Sequence, residues 1–291
     1  MSKPVKDDSQ TEYILRILEK QTEHLKISGQ QVANSPDNNR CAVIVEPRRH
    51  PFLEPVVRNV MHFLGGGWNL MVYCGLDNEK WLRDKLEGWD IRYVNMGVKN
   101  LSPDLHNKLC MRRSFWDNIK EEKILIFQTD SFMLRPGVER FFQYDFIGAF
   151  TLNPYEQAPL DHDRTGLTLG MFNGGFSLRN RSTMIQCIDE VDLKRIDSFR
   201  KSNGCDSLPT VTYYGTIAED IFFVTACSIL GKHLPNKQDA CDFSTEALYT
   251  KTSIGLHGLD KRFFDFHMMQ DMIATSDLAK FMPPRHVTSL F

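Results

Sequence analysis

Three short stretches of this chain carry residues whose types and order could do chemistry. Asp130 follows the apolar run Lys123-Ile124-Leu125-Ile126-Phe127 through Gln128-Thr129. Glu219-Asp220 opens a second apolar segment, and Gly174-Gly175 stands before Phe176-Ser177 between them. A carboxylate at the carboxyl end of a strand lies where an open α/β sheet binds its ligands. Hard divalent cations prefer carboxylate oxygen, and such a cation neutralises charge on a departing diphosphate. A second carboxylate, far along the chain, could deprotonate a hydroxyl as it attacks an anomeric carbon. That order of groups suggests sugar transfer from a nucleotide donor.

Each residue also has an ordinary structural alternative. Asp130 could satisfy backbone amides in a turn after the strand, and Gln128-Thr129-Asp130 has the spacing of a DxD motif with Gln in the first place. Thr216-Ile217-Ala218-Glu219 matches the capping-box pattern, which gives Glu219 a mainly structural role with acceptor contact. Asp220 is the better candidate for the base, although the field of a helix start favours its ionised form and lowers its basicity. Gly174 and Gly175 leave no side chain in the way of a sugar ring or phosphate, or they make a turn into a strand. His257, in Gly255-Leu256-His257-Gly258, could complete a metal site or be structural. Glu46-Pro47-Arg48 follows the first strand. Arg48 there could pair with phosphate while Glu46 holds it or a ribose hydroxyl, or the two form a surface ion pair. The chain has neither GxGxxG nor GxxxxGK[ST], so a dinucleotide fold and a P-loop kinase are unsupported. Ser131 and Ser177 lack a nucleophile-elbow context.

The elements that must hold these residues are legible from periodicity. Thr11 to Ile27 reads as an amphipathic helix and Ser28 to Arg40 as a polar linker. The helix must dock on the main domain or pair with a second copy, and docking is preferred. From Cys41 short strands and helices alternate: strand Ala42 to Val45, helix from Leu53 to Leu64 ended by Gly65-Gly66-Gly67, strand Leu70 to Cys74 and helix Trp81 to Leu86. Strand Ile91 to Val94, helix Leu105 to Ile119 and strand Ile124 to Phe127 follow. This order predicts a mostly parallel sheet with helices on its faces. Beyond it come strand Phe146 to Phe150, a long loop over Thr151 to Met171, a strand over Gly175 to Leu178 and a helix over Ser182 to Ile188. A polar stretch from Lys201 to Pro209 precedes a buried helix over Ala218 to Leu230.

Composition is that of a globular protein: 291 residues, 42% hydrophobic and 25% charged, with a formal net charge of −2. No basic excess points to nucleic acid. The seven cysteines are scattered without CxxC spacing, which argues against a zinc site or disulfide framework and for a reducing compartment. No stretch approaches the ~20 apolar residues that span a bilayer, and Met1 to Gln10 is polar, so a cytoplasmic site is expected.

Taken together the motifs resemble the DUF5672 glycosyltransferase-like proteins. The residues that carry the resemblance are Val43-Ile44-Val45-Glu46-Pro47-Arg48, Trp68 to Gly75, Ile124 to Ser131 and Tyr144-Asp145-Phe146-Ile147-Gly148-Ala149. Asn173 to Arg181, Glu219-Asp220-Ile221-Phe222-Phe223 and Gly255-Leu256-His257-Gly258 complete them. The resemblance runs from about Ala42 to Leu259. It implies a GT-A-like, Rossmann-type α/β fold, expected over residues 41–275; the N-terminal helix and linker (1–40) and the C-terminal tail (276–291) lie outside the resemblance. It further implies Mn²⁺ or Mg²⁺ held by Asp130 with help from His257, and Gly174 and Gly175 lining the donor and acceptor cleft. Glu219-Asp220 then resembles the acid pair of inverting enzymes, with Asp220 as base. The expected substrates are a nucleotide sugar, a UDP-sugar by default, and a glycan or other hydroxyl acceptor. The alternative is a degenerate binding module for the same ligands, favoured by Gln128 in place of the first acid. A nucleotidyltransferase is a further rival that lacks its glycine-rich triphosphate loop here.

Overall fold

The protein is described by a computed structural model over residues 8–150, 172–203, 217–246, 248, 250–258 and 266–283. Strands β1 (Arg40–Val45), β2 (Asn69–Cys74), β3 (Arg92–Asn95) and β4 (Lys123–Phe127) alternate with helices α2 (Leu53–Leu64), α3 (Glu79–Lys85), α4 (Pro103–Cys110) and α5 (Arg113–Asp117). They join β6 (Phe146–Phe150) and β7 (Phe172–Asn180) in a six-stranded sheet of order β3-β2-β1-β4-β7-β6. β3, β2, β1 and β4 are mutually parallel, and β7 runs antiparallel to both β4 and β6. The expected architecture, a mostly parallel sheet flanked by helices, is therefore present.

Burial on both faces explains why β1, β2 and β4 read as continuous apolar runs, whereas the edge strand β3 is only partly buried. Along β1, Ala42 and Ile44 enter one core while Cys41 and Val43 enter the other. The first core is closed by α2 and by α1 (Asp8–Ile27), whose Ile14, Ile17, Leu18 and Leu25 are buried. The amino-terminal helix thus docks on its own chain. The second core is closed by Phe115 and Trp116 of α5, by α6 (Arg181–Glu190), and by α8 (Glu219–Ile229). Between α6 and α8 lies α7 (Leu193–Ser202).

The strand order has a functional consequence. From β1 the chain moves outward through β2 and β3, then returns on the other side of β1 as β4. Adjacent strands whose connections diverge open a crevice at their carboxyl ends. Here the crevice lies between Glu46-Pro47-Arg48, after β1, and Gln128-Thr129-Asp130, after β4.

Several expectations need correction. The helix expected over Leu105 to Ile119 is two helices, α4 and α5. Ser102 caps α4 by accepting from the Leu105 N–H at 3.2 Å, and Arg112 turns to an extended conformation that ends the run. The Trp116 indole N–H then donates to the Cys110 carbonyl at 2.8 Å, so a backbone group freed by the break is satisfied by the side chain the break buries. β7 starts at Phe172 rather than Gly175, because antiparallel pairing with β6 continues past the glycines. Helix α9 (Lys237–Phe243) and a small second sheet were not anticipated. That sheet has the order β5-β9-β8, from Ser131–Met133, Gly255–His257 and Ser244–Thr245. The loop expected over Thr151 to Met171, residues 204–209 of the polar stretch, and Thr216 lie outside the described residues.

Candidate active site

Asp130 and His257 are brought together by the small sheet. β5 pairs antiparallel with β9 in a register that sets Ser131 opposite His257, and the Gly258 N–H donates to the Asp130 carbonyl at 3.0 Å. His257 Nε2 consequently lies 3.6 Å from Asp130 Oδ1. On its other side His257 Nδ1 lies 3.4 Å from Oε2 of Glu246, a residue that sequence reading missed. His257 is 2% exposed, and neither ring nitrogen has a hydrogen-bond partner. Buried polar atoms in that condition are uncommon and call for an explanation. Asp130 Oδ1 and His257 Nε2 are the side-chain atoms that could hold a divalent cation here. Among the described residues no group of three or more His, Cys, Asp or Glu side chains makes a metal cage.

Gly174 and Gly175 lie where the β6–β7 ladder shifts register, between the pairs Gly148–Ser177 and Ala149–Asn173. Their value is space. A Cβ on Gly175 would collide with His257 Nε2 and come 2.8 Å from Gln128 Oε1, and one on Gly174 would collide with Glu219 Oε1 and come 2.6 Å from an Arg179 nitrogen. Gly175→Ala must therefore displace His257 or the strand. Overpacking of this kind costs about 1–3 kcal/mol. We expect a modest drop in unfolding midpoint; an unchanged midpoint would show that His257 and the strand give way without cost.

The Glu219-Asp220 pair divides into two roles. α8 starts at Glu219 with Ala218 as its cap residue, so Glu219 occupies the first helical position and not the third position that a capping box requires. Its carboxylate is taken by Arg179, which donates through Nη1 at 2.6 Å and Nη2 at 2.9 Å. Arg179 is fully buried. Its guanidinium lies 4.7 Å from the Phe146 ring centroid, and Nε donates to Ser177 Oγ at 2.9 Å. Burial alone would lower the Arg179 pKa, but the Glu219 carboxylate raises it on balance. Asp220 instead turns toward the glycines: its Oδ2 accepts from the Gly174 N–H at 3.2 Å, and its Oδ1 accepts from the Ile221 N–H at 2.8 Å. Burial, reinforced by the Glu219 charge, pushes the Asp220 carboxyl up to about 6. The expected lowering of its basicity by the helix start is outweighed.

At the switch point Glu46 and Arg48 form a chelated pair. Arg48 donates through Nε and Nη2 to the two Glu46 carboxylate oxygens at 2.8 and 2.7 Å, with Glu46 buried and Arg48 half exposed. Asn78, unflagged by sequence reading, bonds the Glu46 and Arg48 carbonyls at 2.7 and 2.9 Å and fixes this turn. Both residues line a cavity of about 590 Å³ that reaches Gln128 and Asp130. A second hollow, of about 190 Å³, is lined by Asp130, Gly174, Gly175, Glu219, Asp220 and His257. Gln128, Asp130, His106 and Asn107 line both, so the two make one bipartite cleft. His106 and Asn107, from α4, were also missed; the Asn107 carbonyl oxygen of the side chain accepts from the Glu219 N–H at 3.2 Å, and the His106 pKa is lowered mainly by burial.

Comparison with known proteins yields a family. No curated protein matches this chain. Among solved structures, mouse xyloside xylosyltransferase 1 in its apo form is similar to it with a TM-score of 0.45 and 10% sequence identity, covering 70% of this chain and 86% of that one. A family model described as "Protein of unknown function (DUF5672)" matches residues 90–257. That span holds Gln128, Asp130, both glycines, Glu219, Asp220 and His257; the expected resemblance over residues 42–89, with Glu46 and Arg48, falls outside it. The matched residues make up more than half of the chain, which belongs to the DUF5672 family.

Proposed function

We propose that this protein is a metal-dependent, inverting glycosyltransferase that moves a sugar from a nucleotide sugar to an acceptor hydroxyl. One observation carries the reading. Asp130 and Asp220, from distant parts of the chain, line one small hollow beside a side-chain-free glycine edge, where burial pushes the Asp220 carboxyl up to about 6. A carboxylate with that pKa is ionised at neutral pH yet basic enough to take a proton in the transition state.

The larger cavity takes the nucleotide. Arg48, its charge held by Glu46, faces phosphate oxygens, and the switch-point crevice receives the nucleoside. Asp130 and His257 would hold Mn²⁺ or Mg²⁺, which when bound stabilises charge on the departing diphosphate. The acceptor enters the smaller hollow against Gly174 and Gly175. Asp220 accepts the acceptor hydroxyl's proton as its oxygen bonds to the anomeric carbon. The bond between that carbon and the diphosphate oxygen breaks on the opposite side, so configuration inverts and nucleoside diphosphate leaves.

A nucleotide-sugar panel with Mn²⁺ or EDTA, on wild type and Asp130→Ala, tests this. Metal-dependent binding and slow diphosphate release should occur in wild type and fall at least 100-fold in the variant. Failure of a folded protein to bind any donor would refute the proposal. Donor binding with no turnover on any acceptor would identify a binding module instead.

A further inference from the structure

Glu246 has no place in the reading above, yet it is 2% exposed and abuts His257, whose ring nitrogens lack hydrogen bonds. We infer that Glu246 is a positioning residue that fixes the orientation and tautomer of His257 and so makes the cleft a cation site. The inference rests on the proposed metal dependence and deepens it.

The chain of groups runs Glu246 Oε2, His257 Nδ1, His257 Nε2, Asp130 Oδ1, with spacings of 3.4 Å at the first junction and 3.6 Å at the last. A neutral imidazole carries one N–H and one lone pair. Placing the proton on Nδ1 puts it on the side of the Glu246 carboxylate, 3.4 Å away, and leaves the Nε2 lone pair on the side of Asp130. Two lone-pair atoms then oppose each other across 3.6 Å, an arrangement that is unfavourable alone and favourable around a cation. A carboxylate behind a ligating imidazole raises its basicity and holds its plane, and losing such a partner weakens metal affinity by about 10–100-fold.

The backbone supports this role for Glu246. It directly follows β8, whose Ser244 and Thr245 pair in parallel with Gly255 and Leu256 of β9, the strand that delivers His257. The same two-residue ladder therefore presents both the imidazole and the group behind it. Gly175 limits the ring from the other side, since any Cβ there would overlap Nε2.

The test is Mn²⁺ titration of the full chain without donor, followed by the electron paramagnetic resonance signal of free Mn²⁺. Wild type, Glu246→Ala, Glu246→Gln, His257→Ala and Asp130→Ala are compared, with unfolding midpoints as a control. Glu246→Ala should weaken Mn²⁺ binding about 10–100-fold, while Glu246→Gln, which keeps an oxygen to accept from Nδ1–H, should stay within a few-fold of wild type. Unchanged affinity in Glu246→Ala, with loss in His257→Ala and Asp130→Ala, would overturn the positioning role and leave the metal site standing. Equal loss in the Ala and Gln variants would overturn the hydrogen-bond argument. No Mn²⁺ binding by wild type would remove the metal site and this role together.

Discussion

Asp220→Asn should lower turnover by about 10²–10⁴-fold while leaving donor affinity within a few-fold of wild type. Asparagine keeps the size of the side chain and an oxygen that can accept from the Gly174 or Ile221 N–H. What it lacks is the ability to take a proton. In wild type, turnover should rise with pH through about 6, because Asp220 must be ionised to act as base and its carboxyl is pushed up to that value. The variant's residual rate should lose this acid limb.

Stability supplies an independent readout with the opposite sign. The folded pKa of Asp220 stands above the unfolded value of about 3.9, so the folded state binds more protons between those limits. Its contribution to stability is therefore greatest at low pH and falls as pH rises through about 6. Asn removes this partly buried charge, so at pH 8 the variant's unfolding midpoint should equal or exceed that of wild type. Near-normal turnover in Asp220→Asn would end the base assignment. Lost turnover with a much lower midpoint would mark Asp220 as structural.

The parts of this molecule that were legible in the sequence are those governed by local pattern. β1, β2 and β4 lie within a few residues of their expected bounds because burial on both faces leaves uninterrupted apolar runs between polar turns. The switch-point residues Glu46, Arg48 and Asp130 could be placed for the same reason, since a strand's carboxyl end is fixed once the strand is found. β5, β8 and β9 are two or three residues each, too short for any periodicity to register. Without them no periodicity could say that His257 meets Asp130, which the family resemblance alone implied, and nothing in the sequence could say that Glu246 stands behind it. Asn78, His106 and Asn107 likewise act through contacts outside their own elements. Arg179 did leave a signal that could have been used. It shares the strand face of Ser177, opposite Phe176 and Leu178, in a segment whose two faces both had to be covered. An arginine in such a position needs a buried anion, and Glu219 was the acid left over once Asp220 had been given the chemistry.

That buried pair sets the second large effect. Arg179→Met should destabilise the protein by about 3–5 kcal/mol, because it strands the buried Glu219 carboxylate without its two charge-assisted bonds. For a chain of this size the unfolding midpoint should fall by on the order of 10 °C. The cost belongs mainly to the orphaned charge and not to the lost attraction, so it should be recoverable. Adding Glu219→Leu to Arg179→Met replaces the pair by apolar groups among Phe146, Trp116 and Phe223, a change that in buried pairs is often close to neutral. Ser177 keeps its own bond to the Gly174 carbonyl at 2.8 Å, so the turn under the glycines survives. The double variant should regain more than half of the lost midpoint. It should also shift the acid limb: the Glu219 charge raises the Asp220 pKa more than Arg179 lowers it, so removing both moves the limb below pH 6. A double variant no more stable than Arg179→Met would mean that the arginine's packing, and not its pairing with Glu219, holds α8 against β7. An unmoved limb would mean that burial alone sets the basicity of Asp220.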